Sequence, residues 1–357
     1  MLKRSLAVLL VVMFVFTLIL AGCGNAQKEE QSTKEEPKAA EQNQAKEEPK
    51  AAEKQIFVAQ SLPTYNNPWY VLFANGSKEM AAALGVKITQ VTNPETSAWS
   101  PEAQISKIEN LIAMRPDVIE IDPTSTDGIN SAIDEAKKQG IPVVVSGIHV
   151  STNVDASITA DNKQGGVLCG DYMGKVLNGK GKVAMLLGTP GRDIIQNREN
   201  GFKEGIKKYE GIEIVAEQVA DLERAKGVSV AENILQAHPD IDAIWAANDE
   251  MALGAVEAVR ARGLIGKVKI GGFDATPDAV NAIDKGEMHF TANQIPYEIG
   301  ARAIAVAVMR AQGKNPPAED IILPMSLVTY ENVKDYLAKQ AENEKALIEN
   351  VKKEYGF

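Results

Sequence analysis

The sequence predicts an α/β protein made of two parallel sheets covered by helices, and three observations carry that reading. From Ile56 onward, short β-branched runs alternate with stretches whose apolar residues recur at spacings of three and four. The runs are apolar almost throughout, as in strands buried on both faces. Ten such runs lie within about 300 residues, which suits two sheets better than one.

In chain order the predicted strands are Ile56–Leu62, Val86–Val91, Val118–Ile121, Pro142–Ser146, Ser157–Ala160, Lys182–Leu187, Glu213–Gln218, Ala243–Ala247, Val268–Phe273 and Phe290–Ile295. Between them Ile105, Ile108 and Ile112 fall on one helical face, as do Ile129, Ile133 and Ala136, and Ala231, Ile234 and Leu235. Ser100 before Pro101 is an N-cap and first-turn pair, because the N–H that proline lacks is one a helix start leaves unbonded. Cys169, in Gly165-Gly166-Val167-Leu168-Cys169, reads as a buried helix position that packs in the core. A charged amphipathic helix from Glu331 to Tyr355, with Tyr336, Leu337, Ala341 and Leu347, is expected to be a surface appendage.

The opening of the chain reads differently. Lys3 and Arg4 precede an apolar run from Leu6 to Leu20, which meets Ala21-Gly22-Cys23. A charged start, a short apolar middle and small residues before a cut site describe a secretory signal peptide. The run is shorter than the roughly 18 apolar residues wanted for a bilayer span. A cysteine directly after Leu-Ala-Gly resembles the lipobox of bacterial lipoproteins, which implies removal of residues 1–22 and acylation of Cys23. Residues 24–54 contain no Val, Ile, Leu, Met or aromatic residue, and the octet Lys34–Glu41 recurs unchanged from Lys46 to Glu53. Without an apolar payload such a segment does not repay its ordering entropy, so 23–54 is expected to be a lipidated cysteine followed by a disordered charged spacer.

Composition narrows the function. A net charge of −10 argues against a nucleic-acid partner, which needs a basic face. Three histidines and two cysteines leave little for a zinc site or a disulfide framework, and no cofactor is expected. No Gly-x-x-x-x-Gly-Lys follows a strand; Gly188-Thr189-Pro190-Gly191 is only a strand-to-helix turn. No Ser or Cys is placed beside a histidine and no spacing forces two carboxylates together, so the chain is not expected to be an enzyme.

In open α/β sheets ligands bind beyond the carboxyl ends of strands. The residues there are Asn66, Asn67, Pro68, Trp69 and Tyr70, then Gly147, Ile148 and His149, then Asp161 and Asn162. Later ends supply Asn248 and Asp249, Asp274, and Asn293 and Gln294, with Arg198 in the helix after the Lys182 strand. Amides and carboxylates engage neighbouring hydroxyls, and aromatic faces cover the C–H patches of a sugar ring. Each also has a plainer use: Asn67 as a helix cap, Trp69 and Tyr70 as core, Asp249 as a helix-start acid, Arg198 as a solvated charge.

From Ile56 to about Thr329 the chain resembles the ribose-binding-protein group of periplasmic sugar-binding proteins, which serve ABC transporters. The resemblance rests on Asn66-Asn67-Pro68-Trp69-Tyr70, Ala160-Asp161-Asn162, Ala237-His238-Pro239-Asp240, Asn248-Asp249-Glu250-Met251-Ala252-Leu253-Gly254-Ala255 and Gly272-Phe273-Asp274-Ala275-Thr276-Pro277-Asp278, in family order. It implies two Rossmann-like lobes joined by a three-segment hinge, the type I fold of these proteins. The N-terminal lobe would hold 55–160 with 295–324 and the C-terminal lobe 161–294 with 325–330, leaving 331–357 as the appendage. Ligand contacts would fall on Asn67, Trp69, Tyr70, Arg198, Asn248, Asp274 and Gln294. His149 joins these candidates from the strand ends.

Two positions depart from the group's pattern. Where the ribose binders carry an Asp-Arg pair after the fourth strand, this chain has Gly147-Ile148, and Leu222 stands at a further aromatic contact. Losing a charged pair weakens ribose by roughly several kcal/mol unless other groups compensate, so the expectation moves away from ribose itself to another pentose, a hexose, a polyol or a furanose-like signal. The expected function is capture of a neutral sugar, by a monomer lipid-anchored on the outer face of the cell membrane, and its delivery to an ABC permease. The alternative is a sensor subunit that passes a sugar-like or quorum signal to a membrane receptor.

Overall fold

The structure, a computed structural model, describes residues 54–357; the expected signal peptide, Cys23 and the repeated octet lie outside the described residues. Two six-stranded sheets form the frame. The first contains β1 (Phe57–Leu62), β2 (Lys87–Thr92), β3 (Val118–Ile121), β4 (Val143–Ser146), β5 (Ala156–Ala160) and β11 (Asp320–Leu323) in the order β11-β5-β4-β3-β1-β2. All its pairings are parallel. The second contains β6 (Lys180–Leu187), β7 (Gly211–Val219), β8 (Ala243–Ala246), β9 (Lys269–Asp274), β10 (Phe290–Asn293) and β12 (Ser326–Thr329) in the order β12-β10-β9-β8-β6-β7. It is parallel except for the antiparallel edge pair β10–β12.

The chain passes between the sheets three times: after β5, after β10 and after β11. This is the two-lobed α/β architecture expected from the alternation and the resemblance. All ten predicted strands are present, with ends displaced by at most two residues. The two that the pattern missed, β11 and β12, are four residues each and begin with exposed Asp320 and Ser326, too short and too wet for an apolar run to show.

Among the described residues ten α-helices cover the sheets: α1 (Pro68–Ala83), α2 (Pro101–Ala113), α3 (Asn130–Lys138), α4 (Asn162–Val176), α5 (Asp193–Ile206), α6 (Arg224–Ala237), α7 (Asp249–Ala261), α8 (Pro277–Asp284), α9 (Pro296–Ala311) and α10 (Val333–Tyr355). The predicted faces point inward: Ile108 and Ile112, Ile129, Ile133 and Ala136, and Ala231, Ile234 and Leu235 are buried, with Ile105 at the margin. Ser100 caps α2 by accepting a hydrogen bond from Ala103 N at 3.2 Å. Cys169 is fully buried in the core, and burial pushes its thiol pKa up.

α4 and α5 lie almost backbone to backbone. A Cβ on Gly166 would collide with the Arg198 carbonyl, and one on Gly201 with that of Lys163, so only glycine permits this approach. It holds Arg198 against the second sheet. The C-terminal helix is more than an appendage. Leu337 and Ala341 are exposed, while Val333, Ile348, Val351 and Tyr355 are buried, and Arg302 of α9 bonds both Glu354 (2.8 Å) and the Tyr355 hydroxyl (3.4 Å). The buried stripe sits at the two ends of α10, where it meets the lobes, and a single-face reading centred on Tyr336 does not find it.

Candidate functional site

Residues from both lobes converge on one cavity. The first lobe contributes Asn67, Trp69, Tyr70, Trp99, Asp122 and Gly147. The second contributes Arg192, Ile194, Ile195, Arg198, Leu222, Asn248 and Asp274, and Gln294 comes from the crossing after β10.

α1 begins at the cavity because Asn67 caps it, accepting from Trp69 N at 2.9 Å, with Pro68 in its first turn. That start places Trp69 and Tyr70 together, 4.8 Å between ring centroids and edge to face, with Trp69 stacked on Phe73 behind. The capping and ligand readings of Asn67 are therefore compatible, since the cap uses Oδ1 and leaves the amide NH2. Asn248 caps α7 through Oδ1 (Met251 N, 3.0 Å), and its Nδ2 donates to the Leu222 carbonyl at 3.2 Å.

Asp274 ends β9 on strained backbone, with φ of 123° there and 55° at Ala275. Asp249 holds that turn. Fully buried, it accepts from Thr276 N (2.7 Å), Thr276 Oγ1 (3.1 Å) and Thr291 Oγ1 (2.7 Å), and does not line the cavity. Asp274 Oδ1 accepts from Gln294 Nε2 at 2.6 Å and Arg198 Nη1 at 3.3 Å, which leaves Oδ2 for another partner. Arg198 is itself oriented by Asn162 Oδ1 (2.9 Å from Nε) and the Ala247 carbonyl (2.7 Å from Nη1), and lies 4.1 Å above the Phe273 ring.

A second acid–guanidinium pair stands at the other end. Asp122 follows β3, and its Oδ1 accepts from the Tyr70 hydroxyl at 3.1 Å. Arg192, just before α5, lies 3.7 Å from that oxygen, donates to Tyr70 Oη at 3.3 Å and covers the Trp99 ring at 4.7 Å. Its segment docks on the first lobe: Thr126 N donates to the Gly191 carbonyl (3.3 Å) and Asp193 N to Thr126 Oγ1 (3.2 Å). Burial pushes the carboxyl pKa of Asp122 and of Asp274 up to about 7 in each case, against the pull of the neighbouring arginines.

Of the residues expected to touch ligand, Asn67, Trp69, Tyr70, Arg198, Asn248, Asp274 and Gln294 line this cavity. His149 does not. Gly147, at φ 74°, and fully buried Ile148 carry the chain past the cavity before His149 is reached. The imidazole instead lies 3.3 Å from Asp193 and 3.3 Å from Asp320, with its pKa raised chiefly by the hydrogen bond to Asp193. Asp122, Trp99 and Arg192 were missed. Asp122 meets the same strand-end criterion that selects Asp274. Arg192 has no local signal, because its partners lie on the other lobe. The cavity lining thus carries an acid and a guanidinium from other elements, Asp122 and Arg192, and Gly147 makes room for the acid: a Cβ there would collide with Asp122 Oδ2.

Residues 58–315 match the family model described as the periplasmic binding protein domain. The chain belongs to that family. Membership makes it a binding protein, not an enzyme. The ribose import binding protein of Bacillus subtilis is 34% identical over 277 residues, 77% of this chain and 88% of its own. Among solved structures, an ABC transporter periplasmic solute-binding protein from Actinobacillus succinogenes with bound D-allose is similar at TM-score 0.75 and 30% identity, over 79% of this chain and 100% of the other. A solute-binding protein from Bacillus halodurans with bound myo-inositol is similar at TM-score 0.75 and 29% identity, over 81% of this chain and 100% of the other.

Proposed function

We propose that this binding protein captures one neutral sugar or cyclic polyol in the inter-lobe cavity and delivers it to an ABC import permease from the outer face of the membrane, where lipid on Cys23 would tether it. The observation that carries the ligand class is charge balance: among the described residues, the cavity lining holds two arginines and two aspartates and no other charged side chain. A carboxylate or ammonium ligand would bring an uncompensated charge into this buried setting, whereas hydroxyls satisfy acid and guanidinium alike. Trp69, Tyr70 and Trp99 supply faces for C–H surfaces. Relatives that take ribose, allose or myo-inositol support the same chemistry. The transport role rests on the family, and the tether on Leu20-Ala21-Gly22-Cys23.

The test is a melting-temperature screen of the full chain in detergent against pentoses, hexoses, inositols and acidic or amino sugars. A ligand at about 1,000 times its Kd stabilises by about 4 kcal/mol, so a match moves the melting point by several degrees. Shifts confined to neutral compounds are expected, and a shift with an acidic or amino sugar alone overturns the ligand class. A Cys23→Ala variant is expected in the soluble fraction; persistent membrane attachment contradicts the tether.

A further inference from the structure

We propose that Asp122 and Arg192 form a second hydroxyl-binding subsite, so that the ligand is a polyhydroxylated ring held at both edges, one on Arg198 and Asp274 and the other on this pair. The inference rests on the sugar-binding reading above and adds to it two residues and a requirement on the ligand.

Neither side chain is fully satisfied by the described residues. Asp122 is 1% exposed, and Oδ2 is buried without a hydrogen-bond partner among the described residues, although Oδ1 is engaged by Tyr70. Arg192 is 3% exposed, and its Nε is likewise buried without a partner. A purely structural ion pair would direct both groups at each other or at backbone; this one leaves an acceptor and a donor beside the same cavity. The indole Nε1 of Trp69, another cavity residue, is also buried and unpartnered. One ligand hydroxyl donating to Asp122 Oδ2 and a neighbouring one accepting from Arg192 Nε–H would complete the set. At the opposite end the arrangement repeats: protein donors occupy Asp274 Oδ1 and leave Oδ2.

The position of the pair also couples binding to lobe closure. Asp122, Tyr70 and Trp99 belong to the first lobe and Arg192 to the second, so the subsite exists only while the lobes are together. A ligand that bridges acid and guanidinium holds them so.

The experiment is titration calorimetry on the full chain in detergent. D-Ribose, D-allose, L-arabinose, D-galactose and myo-inositol are used first, then monodeoxy analogues of the best binder. Asp122→Asn keeps the side-chain shape and Arg192→Gln removes the guanidinium; each is expected to weaken binding about 10- to 100-fold. At least one monodeoxy analogue is expected to lose affinity in the wild type and little further in Asp122→Asn, a coupling that a merely structural ion pair would not produce. The inference is overturned if both variants bind within about twofold of the wild type, or if every deoxy analogue loses as much in Asp122→Asn as in the wild type. If Arg192→Gln fails to fold, Asp122→Asn and the deoxy series decide alone. A wild type that binds no member of the panel overturns the sugar-binding reading, and this inference with it.

Discussion

At one end of the cavity Arg198 and Asp274 both belong to the second lobe, and their geometry is complete within it. Asn162, Ala247 and Gln294 orient them, and Asp249 clamps the strained turn at Asp274 and Ala275. At the other end the first lobe supplies Asp122, and Arg192 reaches it from the second, across the cleft. The first end lies within one lobe; the second is shared between the two. The contrast shows how two similar ion pairs can divide the work, one giving a preorganised grip and the other linking occupancy to the closed form that a transporter would recognise.

The largest expected effect lies at the end built within the second lobe. Asp274→Ala leaves the buried Arg198 without its acid and removes the ligand's acceptor, a loss on the order of 2–5 kcal/mol, or about 30-fold to several thousandfold in Kd. Calorimetry checks it, and unchanged affinity would show that the grip is elsewhere. At the end shared between the lobes Gly147→Ala is the sharper probe. It places a Cβ against Asp122 Oδ2 on backbone of φ 74°, so it is expected to cost about 1–2 kcal/mol in urea denaturation and to weaken sugar binding by about tenfold. An effect on stability without one on binding would separate Asp122 from the ligand.

The smallest effect is shared by both ends and concerns pH. Burial raises the folded-state pKa of Asp122 and Asp274 to about 7 and of Glu120, bonded to Ser146 and Gln60, to about 8. A carboxyl raised in the folded state binds more protons there than in the unfolded chain. Its contribution is therefore complete below about pH 4 and lost as pH climbs through 7 to 8. Unfolding of the ligand-free protein is expected to become easier from pH 5 to pH 8.5, and Glu120→Gln to flatten that slope. A stability that rises over this interval in the wild type would contradict these burial-driven shifts.

Much of the fold could be read directly from the chain. Strand positions follow from β-branched runs, helix faces from three- and four-residue spacing, and the α2 start from Ser100-Pro101, because each depends on neighbours within a few residues. The end built within one lobe was legible for the same reason, since Asn248 and Asp274 stand at strand ends within recognisable motifs and Gln294 stands at a strand end. His149 met that criterion and failed it in space, because the left-handed turn at Gly147 redirects the chain.

What the sequence determined by itself is the alternation, the two sheets and the inventory of polar groups at strand ends, all properties of short segments. Which acid meets which arginine was decided only by tertiary structure. Asp122 and Arg192 lie on separate lobes, and their meeting depends on how the two sheets face each other and on the space left by the missing Cβ of Gly147. No local pattern encodes a contact between segments that distant, because it follows from the packing of whole layers.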